Sequence, residues 1–173
     1  RGFLTQALLR SAGRVVAVEK DSRLVAYLRQ KFSPGIKTGK LELIQADVRG
    51  FNIKAGGYKL VANIPYYLTG RLLRQFLTAS RQPSLVVLLL QREVAERIVA
   101  KNGKESLLSI SVKVYGEAEY LHAVPAKHFS PPPKVDSAVL RIKNISKKFF
   151  SKINEERFFV LLHRAFQQKR KML

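Results

Sequence analysis

Residues 59–66 read KLVANIPY, an apolar run followed by a polar residue, a proline and an aromatic ring. The run Lys59–Ala62 predicts a short buried strand. Pro65 fixes its φ angle and has no backbone N–H, so the chain must leave the sheet there as a rigid loop. Residues 71–79 then carry apolar side chains at helical spacing. A strand, a polar loop and a helix in this order indicate an α/β fold.

The same alternation of strand and helix extends along the rest of the chain. Further strands are predicted at Arg14–Val18, Leu41–Gln45, Leu85–Leu90, Leu108–Tyr115 and Ser137–Ile142. Helices are predicted at Phe3–Arg10, Ser22–Lys31, Glu93–Ala100 and Glu155–Lys169. Pro34-Gly35 is expected to end the second helix. Because Leu85–Leu90 is apolar throughout, it suits a parallel strand covered on both faces. The pattern predicts a parallel, doubly wound sheet with extra strands on its C-terminal side.

Composition excludes several classes of function. The chain has 173 residues, of which 46% are hydrophobic and 25% charged, as in ordinary globular domains. It has no cysteine, which excludes a disulfide framework, a zinc–thiolate site and a cysteine nucleophile, and which fits a cytoplasmic location. No apolar stretch is long enough for a transmembrane helix, so no membrane span is expected. His122, His128 and His163 share no ligand spacing, so no metal site is predicted.

The net charge of the chain is its first functional clue. The sequence holds 32 Lys and Arg residues against 12 Asp and Glu residues, a formal charge of +20. Such an excess favours a polyanionic partner, with nucleic acid first and an anionic membrane surface second. The tail is rich in cations that end with Lys169, Arg170 and Lys171, and these are predicted phosphate contacts. The alternative is a basic helix face that is simply solvated.

Polar residues follow three successive predicted strands. Glu19, Asp47 and Asn63 each stand at or just after a strand end, where open α/β sheets bind their ligands. An acid at the end of the second strand of such a fold can accept hydrogen bonds from ribose hydroxyls. An acid at the end of the next strand can accept from an exocyclic amine. The series therefore outlines a site for an adenosine-containing cofactor. Alternatively, Asp47 begins a turn and Glu19 pairs with Lys20 or Arg23.

The loop after Ala62 carries groups suited to a nucleobase. The Asn63 side-chain carbonyl, with a nearby backbone carbonyl, would accept from the exocyclic amine of a base. Tyr66 offers a face on which a base drawn out of its strand would stack. The amine would then attack a sulfonium methyl group in line, with catalysis by positioning and electrostatics. The alternative is an Asn-Pro turn followed by an ordinary buried tyrosine.

The motif at 63–66 resembles the N-[LI]-P-Y motif of the S-adenosylmethionine-dependent ribosomal RNA adenine dimethyltransferases. Further stretches resemble the same family, and together they cover essentially the full chain: GFLT at 2–5, VAVE at 16–19, QADV at 45–48, QREVAER at 91–97 and FSPPPKVDSAV at 129–139. One branch of the family is the housekeeping small-subunit enzyme, which modifies two adjacent adenosines near the 3′ end. The other branch confers macrolide resistance and acts on large-subunit RNA. Residues 94–97 and 131–138 favour the first branch.

The resemblance implies a fold and a domain plan. The expected fold is the Rossmann-like sheet of an S-adenosylmethionine-dependent methyltransferase, with its first strand and first glycines missing before Arg1. Residues 1–145 would form the catalytic domain, truncated at its N-terminus. Residues 146–173 would begin a small C-terminal helical domain that binds RNA.

The resemblance also implies roles for single residues. Gly2 matches the last glycine of the cofactor loop, Glu19 would bind the cofactor ribose, and Asp47 would hold the cofactor adenine amine. Asn63, which also borders the cofactor, would orient the target adenosine N6 together with the backbone at Ile64 and Pro65.

The target base would lie between two aromatic rings. Tyr66 would stack on one face of the base and Phe129 would close the other. Lys134 and the tail cations Lys169, Arg170 and Lys171 are the expected RNA contacts. The chain departs from the family pattern at Tyr67, where Asn is commoner, and at Gly70, where Ser or Thr is commoner.

The resemblance implies methylation of adenosine N6 in ribosomal RNA, with dimethylation of adjacent adenosines in the small subunit during ribosome biogenesis. The expected protein is a cytoplasmic monomer whose cofactor is S-adenosylmethionine and whose partner is the immature small subunit. Three alternatives stay open: a large-subunit enzyme of the macrolide-resistance type, a non-catalytic assembly factor, and a DNA adenine methyltransferase. Ile64 speaks against the last, because those enzymes carry D-P-P-Y or N-P-P-Y.

Overall fold

A computed structural model of the chain describes residues 2–53 and 56–168. The chain divides into two compact units, Arg1–Ile53 and Lys54–Leu173. The domain boundary predicted at 145/146 falls inside the second unit and stays a prediction. In the described part of the chain, no helix combines the length and the apolar content that crossing a membrane requires.

The first unit is a two-stranded parallel sheet with three helices. Its elements are α1 Phe3–Ser11, β1 Val15–Glu19, α2 Ser22–Lys31, α3 Ser33–Lys37 and β2 Leu41–Gln45, followed by a 3-10 turn at Val48–Gly50. The two strands pair in register from Val15 with Leu41 to Glu19 with Gln45. The core consists of the buried side chains of Val15, Leu28, Phe32 and Leu41. This packing places the carboxyl ends of both strands at the same edge.

The helix predicted at Ser22–Lys31 has these bounds in the structure, but Pro34-Gly35 belongs to a second, short helix that the sequence did not indicate. These residues lie inside the short helix α3, with the proline in its first turn. A proline is tolerated there because the first N–H groups of a helix have no intrahelical acceptor. The preceding helix α2 ends at Lys31, and the ring of its C-cap residue Phe32 is buried in the core of this unit.

The second unit contains a mixed sheet. Its elements are β3 Lys59–Asn63, α4 Thr69–Leu77, β4 Leu85–Gln91, α5 Arg92–Val99, α6 Leu107–Lys113, β5 Glu117–Val124, β6 Ser137–Lys143 and α7 Glu155–Gln168, with 3-10 turns at Tyr66–Leu68, Ala126–His128 and Lys148–Ser151. The strand order is β3-β4-β6-β5. β3 and β4 are parallel, whereas β6 runs antiparallel to both β4 and β5. No position of β4 is exposed, which agrees with a strand covered on both faces.

The strand predicted at Leu108–Tyr115 is wrong, because this segment forms helix α6. Its β-branched residues suggested a strand, but a capping box starts a helix instead. The Ser106 hydroxyl accepts the Ser109 N–H at 3.1 Å, and the Ser109 hydroxyl accepts the Ser106 N–H at 2.6 Å. Val112, buried at 1% exposure, follows Ser109 at a spacing that places both on the inner face.

The missing strand lies one segment later, as β5. Gly116 immediately precedes it, and a Cβ at this position would come within 2.8 Å of the Lys143 backbone oxygen. A glycine is therefore required for the start of β5 to lie beside the end of β6.

Candidate active site

Glu19 and Asp47 follow neighbouring parallel strands. Glu19 ends β1 opposite Gln45, and its backbone oxygen accepts the Ala46 N–H at 3.0 Å. The two acids consequently stand at the same edge of the sheet, as the sequence pattern predicted. Such an edge is where ligands bind in open α/β sheets.

The carboxylate of Glu19 is oriented by the backbone that follows it. Its Oε1 accepts the N–H groups of Lys20 at 2.8 Å and Asp21 at 2.9 Å. Among the described residues, none donates to Oε2. This leaves one fixed oxygen atom able to accept from a hydroxyl pair. The alternative pairing of Glu19 with the Lys20 ammonium is not what the structure contains, because that group lies 3.1 Å from Asp47 Oδ2.

Asp47 caps the turn that follows β2. Its Oδ1 accepts the Arg49 N–H at 2.9 Å, and the Arg49 side chain contacts both carboxylate oxygens. These hydrogen bonds from Arg49, followed by the one from Lys20, hold the pKa of Asp47 well below its usual value. The turn interpretation of Asp47 is therefore correct in structure. An amine can bind the same carboxylate only by sharing it with these cations.

Gly2 lies where a side chain would be strained. Its φ is +81°, and it directly precedes α1 without any side chain capping that helix. A Cβ at Gly2 would approach the ring of Phe32 within 2.8 Å and the side chain of Leu28 within 2.9 Å. The positive φ and the close approach of two core side chains both favour glycine at this position.

The loop after β3 has exposed residues on either side of one buried side chain. Asn63 and Pro65 are exposed, whereas Ile64 between them is only 7% exposed. The Leu68 N–H donates to the Pro65 oxygen at 2.9 Å, and the buried Thr69 hydroxyl donates to the Tyr66 oxygen at 3.0 Å. These bonds fix the loop and agree with the rigidity predicted from its proline.

Tyr66 is half-buried and tied down at its hydroxyl. It shares a hydrogen bond of 3.0 Å with the hydroxyl of Ser137, the first residue of β6. Tyr67, by contrast, is 82% exposed. The phenol oxygen of Tyr66 is thus engaged within the protein, and a ring face is what it can offer to a base.

Phe129 follows the 3-10 turn Ala126–His128 and is half-buried. The loop after it returns to β6 and carries Lys134, which is exposed. Asp136 closes this loop, because its Oδ1 accepts the Ala126 N–H at 3.0 Å and its Oδ2 lies 3.3 Å from Nη1 of Arg92.

Sequence reasoning missed the roles of Asp136 and Ser137. A polar pair placed directly before an apolar strand, inside the stretch at 129–139, marks both residues as candidates but does not indicate their partners. The structure gathers Glu19 with Asp47 in the first unit. In the second it gathers the 63–66 loop with Ser137. The predicted RNA contacts Lys169, Arg170 and Lys171 lie outside the described residues. In the described part of the chain, no group of three or more His, Asp or Glu residues is placed to hold a metal ion.

Comparison with protein families places this chain. The family model described as "Ribosomal RNA adenine dimethylase" matches residues 1–173. The chain belongs to this family. Among curated members, ribosomal RNA small subunit methyltransferase A of Dehalococcoides mccartyi is 40% identical over 177 residues, which cover 99% of this chain and 60% of that protein. The same-named protein of Fusobacterium nucleatum is 37% identical over 176 residues, covering 99% and 66%. The chain thus spans less than two thirds of the length of these dimethylase relatives.

Two solved transferase structures share the fold. A dimethyladenosine transferase from Plasmodium falciparum matches with a TM-score of 0.84 and 28% identity, covering 97% of this chain and 60% of that one. The 23S rRNA methyltransferase ErmE matches with a TM-score of 0.83 and 27% identity, covering 96% and 67%. The predicted Rossmann-like methyltransferase fold is confirmed by these likenesses.

Proposed function

We propose that this member of the dimethylase family methylates adenosine N6 in small-subunit ribosomal RNA, using S-adenosylmethionine and dimethylating adjacent adenosines. The observation that carries the proposal is the 63–66 loop, which holds an exposed Asn63 at a strand end beside the anchored ring of Tyr66. The name shared by the curated relatives supports the small subunit as the substrate.

The residues of the first unit fit the adenosine part of this cofactor. A carboxylate with a fixed, open oxygen at Glu19 suits two ribose hydroxyls. Asp47 remains ionised and suits the adenine amine as an acceptor. Gly2 directly precedes the N-terminus of α1, whose backbone N–H groups have no side-chain cap and suit a polar group of the ligand. When bound, S-adenosylmethionine supplies an electrophilic methyl group on a sulfonium centre.

The residues of the second unit fit the target base. The exposed carboxamide of Asn63 accepts a hydrogen bond from N6, and a backbone oxygen at Ile64 or Pro65 supplies a second acceptor. Two acceptors bind the N–H groups of the amine, so that its lone pair projects out of the plane of the base and is free to attack a methyl group. Tyr66 and Phe129 supply aromatic faces for a base that has left its stack. In this proposal the chain contributes positioning and needs no strong base.

The charge distribution of the second unit fits an RNA substrate. Most of its carboxylates already have cationic partners: Glu96, Glu105, Glu119, Asp136 and Glu155 each form an ion pair. Lys127 and Lys134, on the loop that carries Phe129, form no ion pair among the described residues and are exposed. These lysines offer phosphate contacts next to the proposed target site. With this substrate we expect a monomer acting in the cytoplasm on immature small subunits.

The test is transfer of labelled methyl groups from S-adenosylmethionine to purified immature small subunits by the full protein, followed by mapping of the modified nucleotides. We expect two labelled adjacent adenosines, and loss of label with Asn63→Ala. Asn102→Ala is the matched control, since Asn102 is an exposed asparagine in another loop of the same unit. Label on large subunits would indicate the macrolide-resistance activity instead. RNA binding without any transfer would indicate an assembly factor and overturn the proposal.

A further inference from the structure

The dipeptide Asp136-Ser137 bonds to three separate segments of the second unit. Ser137 is 1% exposed, and its hydroxyl lies 3.0 Å from the Tyr66 hydroxyl. The Asp136 carboxylate accepts from the Ala126 N–H at 3.0 Å. Its side chain and its backbone oxygen also accept from Arg92, at 3.3 Å and 3.0 Å. One point at the start of β6 therefore fixes the 63–66 loop, the turn before Phe129 and the start of α5.

A hydroxyl at position 137 is not what packing alone would select. The strand β6 is otherwise buried through apolar side chains such as Ala138, Leu140 and Ile142, each 0% exposed. Burying a hydroxyl is unfavourable unless it is hydrogen-bonded. The Ser137 hydroxyl is hydrogen-bonded to the hydroxyl of Tyr66. Its specific consequence is that the Tyr66 ring is held at both ends, by the backbone turn and by the phenol oxygen.

The carboxylate of Asp136 acts on the second aromatic residue. It holds the Ala126 N–H, and Ala126 in turn accepts the Phe129 N–H through its backbone oxygen at 3.1 Å. The turn that carries Phe129 is thereby attached to the residue next to Ser137. A shift at this dipeptide would move both aromatic rings.

We propose that Asp136 and Ser137 are positioning residues for the target base, with Ser137 orienting the Tyr66 ring and Asp136 setting the turn that carries Phe129. The inference rests on the proposed function, because it takes these two rings to be the surfaces that receive the target adenine. Neither residue touches the base itself.

The expected signature is a loss of turnover with little loss of RNA affinity. Phosphate contacts supply most of the affinity for RNA, whereas ring orientation matters only once the base has entered. Ser137→Ala should therefore lower kcat about tenfold and change KM for the RNA by less than about twofold. Ser109→Ala is the matched control, since it removes another buried hydroxyl, 0% exposed, from the capping box of α6. It should lower stability and leave kcat unchanged.

A double-mutant cycle on the full protein isolates the contact. Tyr66→Phe keeps the ring and removes the hydroxyl, so it should lower kcat by the same factor as Ser137→Ala. The double variant should be no worse than either single variant, because both changes break one bond. Multiplying effects would show that the two residues act separately and would overturn the role of Ser137.

A fluorescence measurement reports the base directly. In RNA with 2-aminopurine at the target adenosine, a base that has left its own stack is quenched when it stacks on an aromatic ring of the wild-type protein added in excess. Ser137→Ala and Asp136→Ala should quench less at saturation, Asp136→Asn should recover part of the quenching, and Ser109→Ala should match the wild type.

Two results separate the proposals. The positioning role alone would be overturned if the wild-type protein transfers methyl groups and both Ser137→Ala and Asp136→Ala keep the quenching and the kcat of the wild type. Absence of methyl transfer by the wild-type protein would overturn the proposed function, and the positioning role with it.

Discussion

The guanidinium of Arg49 lies against the carboxylate of Asp47, with Nε 3.0 Å from each oxygen and Nη2 2.5 Å from Oδ2. The Lys20 ammonium is a second cation on this carboxylate, at 3.1 Å. The acceptor proposed for the cofactor amine is thus already engaged. Any ligand amine must compete with a side chain of the protein.

Removing this competition should strengthen cofactor binding. We expect Arg49→Leu to bind S-adenosylmethionine about two- to tenfold more tightly, because Asp47 then offers oxygens without a bidentate partner. Titration calorimetry on the full protein measures the change. Arg14→Leu is the control, since it breaks a different surface pair, with Glu42 at 2.6 Å. Weaker binding by Arg49→Leu would show that the guanidinium supports the cofactor.

The same pair makes a prediction about pH. Because Arg49 and Lys20 lower the pKa of Asp47, its carboxylate remains ionised below the ordinary aspartate value near pH 4. Any stability or affinity that depends on its charge is present above that pH and is lost only as the pH falls through the lowered pKa. In Arg49→Leu the pKa should rise toward the ordinary value. Carboxyl NMR titration should show Asp47 titrating at a higher pH in the variant than in the wild type.

Truncation of Glu19 should weaken cofactor binding. Losing a charged acceptor for ribose hydroxyls should raise Kd about 10- to 100-fold in Glu19→Ala, and Asp47→Ala should act in the same direction. Glu42→Ala is the control, since Glu42 is an exposed acid on the neighbouring strand β2. Unchanged Kd in both site variants would remove the first unit from the cofactor site. A thermal melt of each variant separates lost affinity from lost folding.

The attachment of α7 should depend on one buried tyrosine. Tyr115, 3% exposed, donates its hydroxyl to Glu155 at 2.5 Å, and Lys147 joins Glu155 at 3.1 Å and the Thr78 oxygen at 2.7 Å. Burial and the Glu155 carboxylate raise the pKa of Tyr115, so its hydroxyl stays protonated and donates. Tyr115→Phe should lower the free energy of unfolding by about 1.5–3 kcal/mol in denaturant titrations. Tyr58→Phe, whose hydroxyl reaches the Arg81 oxygen at 3.3 Å, should change it little.

RNA affinity should fall steeply with salt. We expect neutralisation of Lys127 and Lys134 to reduce the slope of log affinity against log salt by about one to two. Lys113→Gln is the control, because its ammonium is already paired with Glu105 at 2.6 Å. An unchanged slope would place the RNA elsewhere. The same experiment on Lys169, Arg170 and Lys171 tests the predicted tail contacts.

Most helices and strands were predicted from the sequence, because the order of apolar and polar residues within each segment determines them. β-branched apolar runs located β1, β2, β3, β4 and β6 to within a residue at each end, and helical spacing located α1, α2 and α7. The prediction of a strand at 108–115 was wrong because the valines and the isoleucine of this segment favour a strand. Ser106 and Ser109, which lie before and within it, instead cap a helix.

The side-chain contacts of the site could not be predicted from local sequence patterns. The motif at 63–66 indicated Asn63 and Tyr66, but the partner of Tyr66 lies 71 residues later in the chain. No spacing rule relates two such positions. The Arg49 contact depends on how one flexible side chain folds back over a turn, which residue type alone does not specify.

The strand order has a consequence for biosynthesis. β6 lies between β4 and β5, so the strand translated last among the four described strands of this sheet occupies an interior place in it. The 63–66 loop therefore leaves the ribosome long before the serine that orients its tyrosine. Until that strand inserts, β4 presents an unpaired apolar edge of the kind that recruits other chains. Before β6 inserts, this edge leaves a nascent chain open to chaperones or to aggregation.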